Sequence, residues 1–347
     1  MRKALLASAF CAVISLTGCT KANNVSSSDS VSQPTDNLDQ TIADDSASEN
    51  AITTCRSGKP VAGRPLKVVT TVSPITSIAG VLSAGTDIQV TGVIPEGSNS
   101  HTFEPPPSAA KTLAEADLIF VNGLNLDDPL KSLAEANKKP SAVICEVGTA
   151  AVPKSEWVFD FSFPEDAGNP NPHAWTDPPY VLRYINYIRD AMTAMAPATI
   201  PVVDSNYVKL SGVVTGLDQA MKTATDTVPV RNRKLLTYHD SFAYFALHYQ
   251  YEVIGAIQPQ SFSDPSPTDV AAIIEQVKQS QVPAIFGSEV FPSPVLEQIG
   301  KETGVKYVDS LRDDDLPGKP GEPDHSWGGL MKADFMTIVT NLGGDAS

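Results

Sequence analysis

The stretch VIPEGSNSHTFEPPPSAAKTLAEADLIFVNGLNL, Val93 to Leu126, decides how the chain is read. It begins inside DIQVTGVI (Asp87 to Ile94), a β-branched run that reads as a strand, and Gly97, Asn99 and Ser100 then make a polar turn. That turn delivers His101 just past the strand's carboxyl end. Pro105, Pro106 and Pro107 fix φ over three residues and lead into an apolar-periodic helix, Ala109 to Ala116, before a further strand, Asp117 to Val121. Strand, loop, helix and strand at such short spacing form a parallel βα unit. A histidine at the mouth of such a sheet stands where open α/β folds bind their ligands.

Outward from this unit the pattern repeats. Upstream lie a strand, Leu66 to Val72, and an apolar helix, Pro74 to Leu82; downstream lie a helix, Asp127 to Asn137, and a strand, Ala142 to Val147. The irregular stretch Ala150 to Pro172 ends in NPHAWTDPP, which sets His173 between two Pro-containing turns beside Trp175, and an amphipathic helix, Tyr180 to Met195, follows. Between Ser205 and Thr227, Leu210, Val214, Leu217, Met221 and Ala224 recur at alternating spacings of four and three. This stripe of about six turns carries no proline, and Gly212 and Gly216 weaken it without abolishing it. It reads as one long helix joining two lobes.

The βα pattern then restarts. LLTY ends at His239 and precedes the helix SFAYFALHY; the strand YEVIGAI, a helix from Thr268 to Ser280, the strand PAIFGSE, a helix from Ser293 to Thr303 and VKYVD, ending at Asp309, come next. A helix from Trp327 to Leu342 closes the chain. The expected class is therefore α/β, with two (βα)4-like lobes, a rigid linking helix and a cleft between the lobes. The expected boundaries are an export signal at 1–18, an anchor and tether at 19–54, an N-terminal lobe at 55–203, the linking helix at 204–228 and a C-terminal lobe at 229–347.

At 347 residues and 41% hydrophobic, the chain is long enough for two lobes of ordinary size. Its 40 acidic against 25 basic residues give a net charge of −15, which argues against nucleic acid as a partner and is compatible with a cation as ligand. Arg2 and Lys3, the apolar run Ala4 to Leu16 and the small residues before Cys19 read as an export signal. Leu16-Thr17-Gly18-Cys19 resembles a lipobox, implying acylation of Cys19 and a body anchored to the membrane rather than inserted in it; the alternative is an ordinary signal with a chance cysteine. Thr20 to Thr54 is too polar to bury a core and reads as a disordered tether. Cys55 and Cys145 are left in an exported chain, where they either bridge or stand as one free thiol and one small buried residue.

Chemistry concentrates in the histidines. His101, His173 and His239 lie 72 and 66 residues apart, and Asp309 follows 70 later. On the expected strand boundaries His101, His239 and Asp309 all fall at carboxyl ends. Three imidazoles and a carboxylate complete a tetrahedral shell that suits Zn²⁺. Spacing alone leaves each residue open, because a lone loop histidine is more often solvated and an Asp after a strand more often a turn residue. Glu289 either orients a ligand through its other ring nitrogen or starts a helix. His248 reads as a surface or packing residue, and His325, in EPDHSW, as a weaker candidate for the cleft.

The segments TTVSPITSIAG, NSHTFEPPPS, ADLIFVNGLNLD, NPHAWTDP, TYHDSFAYFALHYQ, SDPSPTDV, AIFGSE and YVDSL, in that order, resemble the metal-binding lipoproteins of bacterial ABC importers, the cluster A-I zinc and manganese receptors. The resemblance spans Pro65 to Leu342. It implies one divalent ion between two lobes, with the family's ligand positions falling on His101, His173, His239 and Asp309. It also implies a monomeric receptor, not an enzyme, lipid-anchored outside the cytoplasmic membrane and serving an ABC permease. Histidine at the third position, where manganese receptors tend to carry glutamate, is similar to the zinc type and adds a nitrogen donor, so Zn²⁺ is expected; Mn²⁺ or ferrous iron is the alternative. Two departures stand out: Gly123 to Pro172 holds no histidine, so the His-rich loop of many zinc members is absent, and Ser100 precedes His101 where some have glutamate. The competing class is an exported zinc hydrolase, for which only Glu289 or Asp240 offers a general base.

Overall fold

The computed structural model describes residues 45–257, 265–288 and 293–346. The expected export signal, Cys19, most of the tether and Glu289 lie outside the described residues. Among the described residues no helix is long and apolar enough to cross a membrane.

The first lobe is a four-stranded parallel sheet formed by β1 (Lys67–Thr70), β2 (Gln89–Gly92), β3 (Leu118–Val121) and β4 (Val143–Glu146), in the order β2-β1-β3-β4. The register pairs Val68 with both Val90 and Leu118, and Phe120 with Cys145. β3 is buried at every position, as an interior strand covered on both faces requires. The crossovers are α2 (Ser73–Ser83), α3 (Pro107–Glu115) and α4 (Asp128–Asn137), each with proline in its first turn, where a missing N–H costs nothing. The strand order reverses between β1 and β3, which opens the crevice that ligands use in such sheets.

The end expected to be tether is ordered sooner than its composition suggests, since α1 (Ser46–Cys55) is a helix. It packs on β4 and on α5 (Val147–Ala151), and a Cys55–Cys145 disulfide joins it to β4 across 90 residues of sequence.

α6 (Pro178–Met195) leads to the linking helix α7 (Ile200–Thr227), 28 residues and therefore about 42 Å long. It starts four residues ahead of the expected boundary because Pro201 falls in its first turn. Leu210, Val214, Met221 and Ala224 are buried, which is the stripe read from the spacing.

Among its described residues the second lobe has four strands, paired in parallel as β5 (Lys234–Thr237) with β6 (Glu252–Ala256) and β7 (Ala284–Ser288) with β8 (Lys306–Leu311). Its helices are α8 (Ala243–Tyr249), α9 (Pro267–Ser280), α10 (Pro294–Thr303) and α11 (Trp327–Asn341). In the β7–β8 pair, Phe286 faces Val308 but Ser288 faces Leu311, so β8 carries an extra residue at Asp309 and Ser310. Both are exposed, as a bulge leaves them. A smaller core of Leu236, Ile254, Ile274, Ile285, Leu296 and Ile299 belongs to this lobe, while the larger one runs from the first sheet along α6 and α7 into α8 and α11.

Candidate metal centre

Local hydrogen bonds fix each ligand-bearing loop. Asp127 accepts from Thr71 Oγ1 (2.6 Å) and from the backbone N–H groups of Asn122 (2.7 Å) and Gly123 (2.9 Å), tying the ends of β1 and β3 together. From this knot the Asn122 amide donates to the Pro172 carbonyl at 3.0 Å, which holds the residue before His173. The Asn99 side chain accepts from His101 N–H at 2.9 Å, closing the turn ahead of the three prolines. At the end of β5, the Thr237 hydroxyl and the Ser241 N–H both donate to the His239 carbonyl.

Three imidazoles converge as a result. His101 Nε2 is 3.0 Å from His173 Nε2, which is 3.3 Å from His239 Nε2, and candidate ligand atoms of the three lie within 4.8 Å of one another. Two nitrogens on a tetrahedral Zn²⁺, each about 2.0–2.1 Å from the metal, stand about 3.3 Å apart, so the spacing fits a shared cation. His173 and His239 are buried and His101 is partly exposed. Phe163 stands 5.6 Å from His101 and 5.9 Å from His173, ring to ring, and Trp175 5.1 Å from His173. These rings wall the cluster and raise the cost of charging it.

Burial, reinforced by the neighbouring imidazoles, holds the pKa of His101 and of His173 well below the ordinary histidine range. Burial also lowers that of His239, partly offset by Asp313. The rings are therefore neutral, with lone pairs to donate. Asn171 fixes where one lone pair is: its Oδ1 accepts from His173 N–H (2.8 Å) and lies 2.9 Å from His173 Nδ1. An amide oxygen can only accept, so Nδ1 carries the proton and Nε2 faces the cluster. Asn171 is itself held, its amide donating to Asp160 and to the Asp240 carbonyl, both at 2.6 Å.

The expected fourth residue, Asp309, is exposed at the β8 bulge and is not in the group of three histidines whose candidate ligand atoms converge. The loop beyond the strand brings another carboxylate, that of Asp313, against one of the three, with Oδ2 3.3 Å from His239 Nε2. Trp175 donates from Nε1 to the Asp313 carbonyl at 2.8 Å, so a first-lobe side chain sets a second-lobe loop. Asp313 Oδ1 is buried with no hydrogen-bond partner among the described residues, an oxygen whose environment favours a cation. The sequence reading missed Asp313, Asn171 and Asn122; its one available signal was the DDD run, Asp313 to Asp315, just after a strand. His248 lies outside the cluster, between Asp177 (3.2 Å) and Asp218 (3.1 Å). Asp240, offered as a hydrolase base, is fully buried, its pKa pushed well up by burial and by Asp160, and it lies outside the group of three converging histidines.

Comparison with known proteins agrees with this architecture. The iron-binding protein YfeA of Yersinia pestis is 27% identical over 280 residues, covering 81% of this chain and 87% of that protein. The manganese-binding lipoprotein MntA of Halalkalibacterium halodurans is 24% identical over 280 residues, covering 81% and 89%. The solved periplasmic zinc binding protein TroA from Treponema pallidum superposes with a TM-score of 0.73 at 23% identity, over 81% of this chain and 99% of that one, a likeness of fold. The family described as zinc-uptake complex component A, periplasmic, matches residues 68–341. The chain belongs to that family and is a metal-binding receptor of an ABC importer rather than an enzyme.

Proposed function

We propose that the receptor's cargo is Zn²⁺, held by His101, His173, His239 and Asp313, and that the body is anchored through Cys19 outside the cytoplasmic membrane, where as a monomer it passes the ion to an ABC permease. The observation that carries the metal assignment is the third nitrogen: His239 Nε2 faces His173 Nε2 at 3.3 Å, making a donor set of three imidazoles and one carboxylate. Such a set favours Zn²⁺ over Mn²⁺, both by the usual affinity order and because Mn²⁺ prefers oxygen. Four protein donors leave no open position for an activated water, which suits storage and release. The names of YfeA and MntA support iron or manganese as the second reading, and the carboxylate of Asp313 is compatible with either.

Thermal unfolding of the metal-stripped body with Zn²⁺ or Mn²⁺ in parallel decides between them. A ligand that binds only the native state adds about 4 kcal/mol at a thousandfold excess over Kd. A large rise with Zn²⁺ and a small one with Mn²⁺ is expected. An equal or larger rise with Mn²⁺ overturns the cargo assignment, and no rise with either overturns metal binding at the histidines.

A further inference from the structure

The loop that carries His101 and the segment that carries Asp313 touch each other away from the ligands. His325 Nε2 is 3.1 Å from Glu96 Oε1, five residues before His101, and His325 Nδ1 is 3.2 Å from the Pro317 carbonyl. One residue on, Gly97 N–H donates to Asp315 Oδ2 at 2.7 Å; Gly97 has φ +77°, so the turn that presents this N–H suits glycine and strains other residues. The imidazole is thus held at both ends, closing the loop from Pro317 to His325 on one side and gripping the first lobe on the other. Just beyond, Trp327 N–H donates to Ser77 Oγ at 2.8 Å, fixing the start of α11 against α2. Between that anchor and β8, residues 312–325 span the two lobes, with Asp313 near one end and His325 at the other. The Glu96 side chain is about a third exposed and that of His325 about a tenth, and neither belongs to an apolar core.

We infer that Glu96 and His325 form a strap joining the His101 loop to the Asp313 segment, and that this strap sets how fast the metal enters and leaves without itself ligating it. Bound metal pulls His101 and Asp313 toward one point, and exchange requires the segments bearing them to separate. The strap opposes that separation whether or not the ion is present. Its removal therefore speeds arrival and departure alike, and leaves the equilibrium constant nearly where it was. A positioning contact acts on the barrier between two states, whereas a ligand acts on their difference.

The strap presupposes zinc at the histidine cluster, so the test begins with an equilibrium Zn²⁺ titration of the wild-type chain; absence of binding there fails the receptor reading before any rate is measured. Zn²⁺ release is then followed by mixing loaded protein with excess chelator, and association by stopped flow, for E96Q, H325Q and the double variant. Each is expected to release and to take up Zn²⁺ about tenfold faster than wild type, with Kd within about threefold, and the double no faster than either single. The swapped pair E96H/H325E is expected to restore slow exchange, which a merely disrupted loop would not do. Wild-type rates in both single variants overturn the inference. So do additive effects in the double, or faster release with unchanged association and proportionally weaker Kd.

Discussion

Replacing Asn171 with leucine tests the inner support of the site. The substitution removes an oxygen that accepts from both His173 N–H and His173 Nδ1, and an amide that donates to Asp160 and the Asp240 carbonyl. Without it His173 is free to adopt the tautomer with Nε2 protonated, which cannot ligate, and to rotate off the axis toward His101. Partners of this kind contribute about 10–100-fold in metal affinity, or about 1.4–2.7 kcal/mol. Stability falls separately: buried donors and acceptors are left unpaired, at about 1–3 kcal/mol each, so the metal-free protein loses about 2–4 kcal/mol after partial relaxation. Competition titration against a chelator measures the first quantity on the native state, and urea unfolding of the metal-free chain measures the second. Nitrogen chemical shifts of His173 report the tautomer directly. An affinity within threefold of wild type, with the Nδ1–H tautomer retained, refutes the assignment of Asn171 as the residue that orients His173.

Three further outcomes follow from the same geometry. Asp313→Ala weakens Zn²⁺ binding at least tenfold while Asp309→Ala leaves it unchanged, read by the same titration; the reverse order would return the fourth ligand to the bulge. The metal-free protein loses stability as pH falls below about 6.5, because His101, His173 and His239 have lowered pKa values in the fold and the unfolded chain takes protons first. That contribution is complete above the unfolded value and is lost on the acid side, where zinc affinity falls too, and unfolding measured from pH 8 to 5 reads both. Cys55→Ser with Cys145→Ser, which opens a loop of 90 residues, costs about 2–5 kcal/mol in urea unfolding and leaves zinc affinity unchanged, since the bridge lies at β4 and α1.

The parts of the fold that were legible are those written in local periodicity. The stripe Leu210, Val214, Met221, Ala224 announces α7, and short β-branched runs between helical segments announce the parallel strands. Turn chemistry and strand ends made the three histidines candidates and no more; what singled them out in the sequence was the resemblance carried by segments such as NSHTFEPPPS, NPHAWTDP and TYHDSFAYFALHYQ. Asp313 was hidden by the bulge in β8: alternation predicts faces only while the register holds, and one inserted residue moves the strand's end without changing its composition. Asn171 was hidden for another reason, since it lies in an irregular stretch where no period exists and its side chain's partners range from His173, two residues on, to the Asp240 carbonyl, 69 residues away. α1 is likewise a product of tertiary context, because a polar ten-residue helix gains its stability from β4, α5 and the Cys55 bridge rather than from its own propensity.

A rod that belongs to two bodies at once cannot serve as their hinge. α7 is continuous from Ile200 to Thr227, and its buried side chains join one core with residues of both lobes, so swinging the lobes apart would mean breaking the rod or tearing that core. The lobes behave as two handles welded to one bar, and any opening is left to the short segments that carry the ligands. Motions confined to loops cross lower barriers than motions of whole domains, and they change the surface near the ion while leaving the outline of the molecule alone. A permease that must tell a full receptor from an empty one is therefore offered a change of texture at the mouth of the cleft, and no change of silhouette.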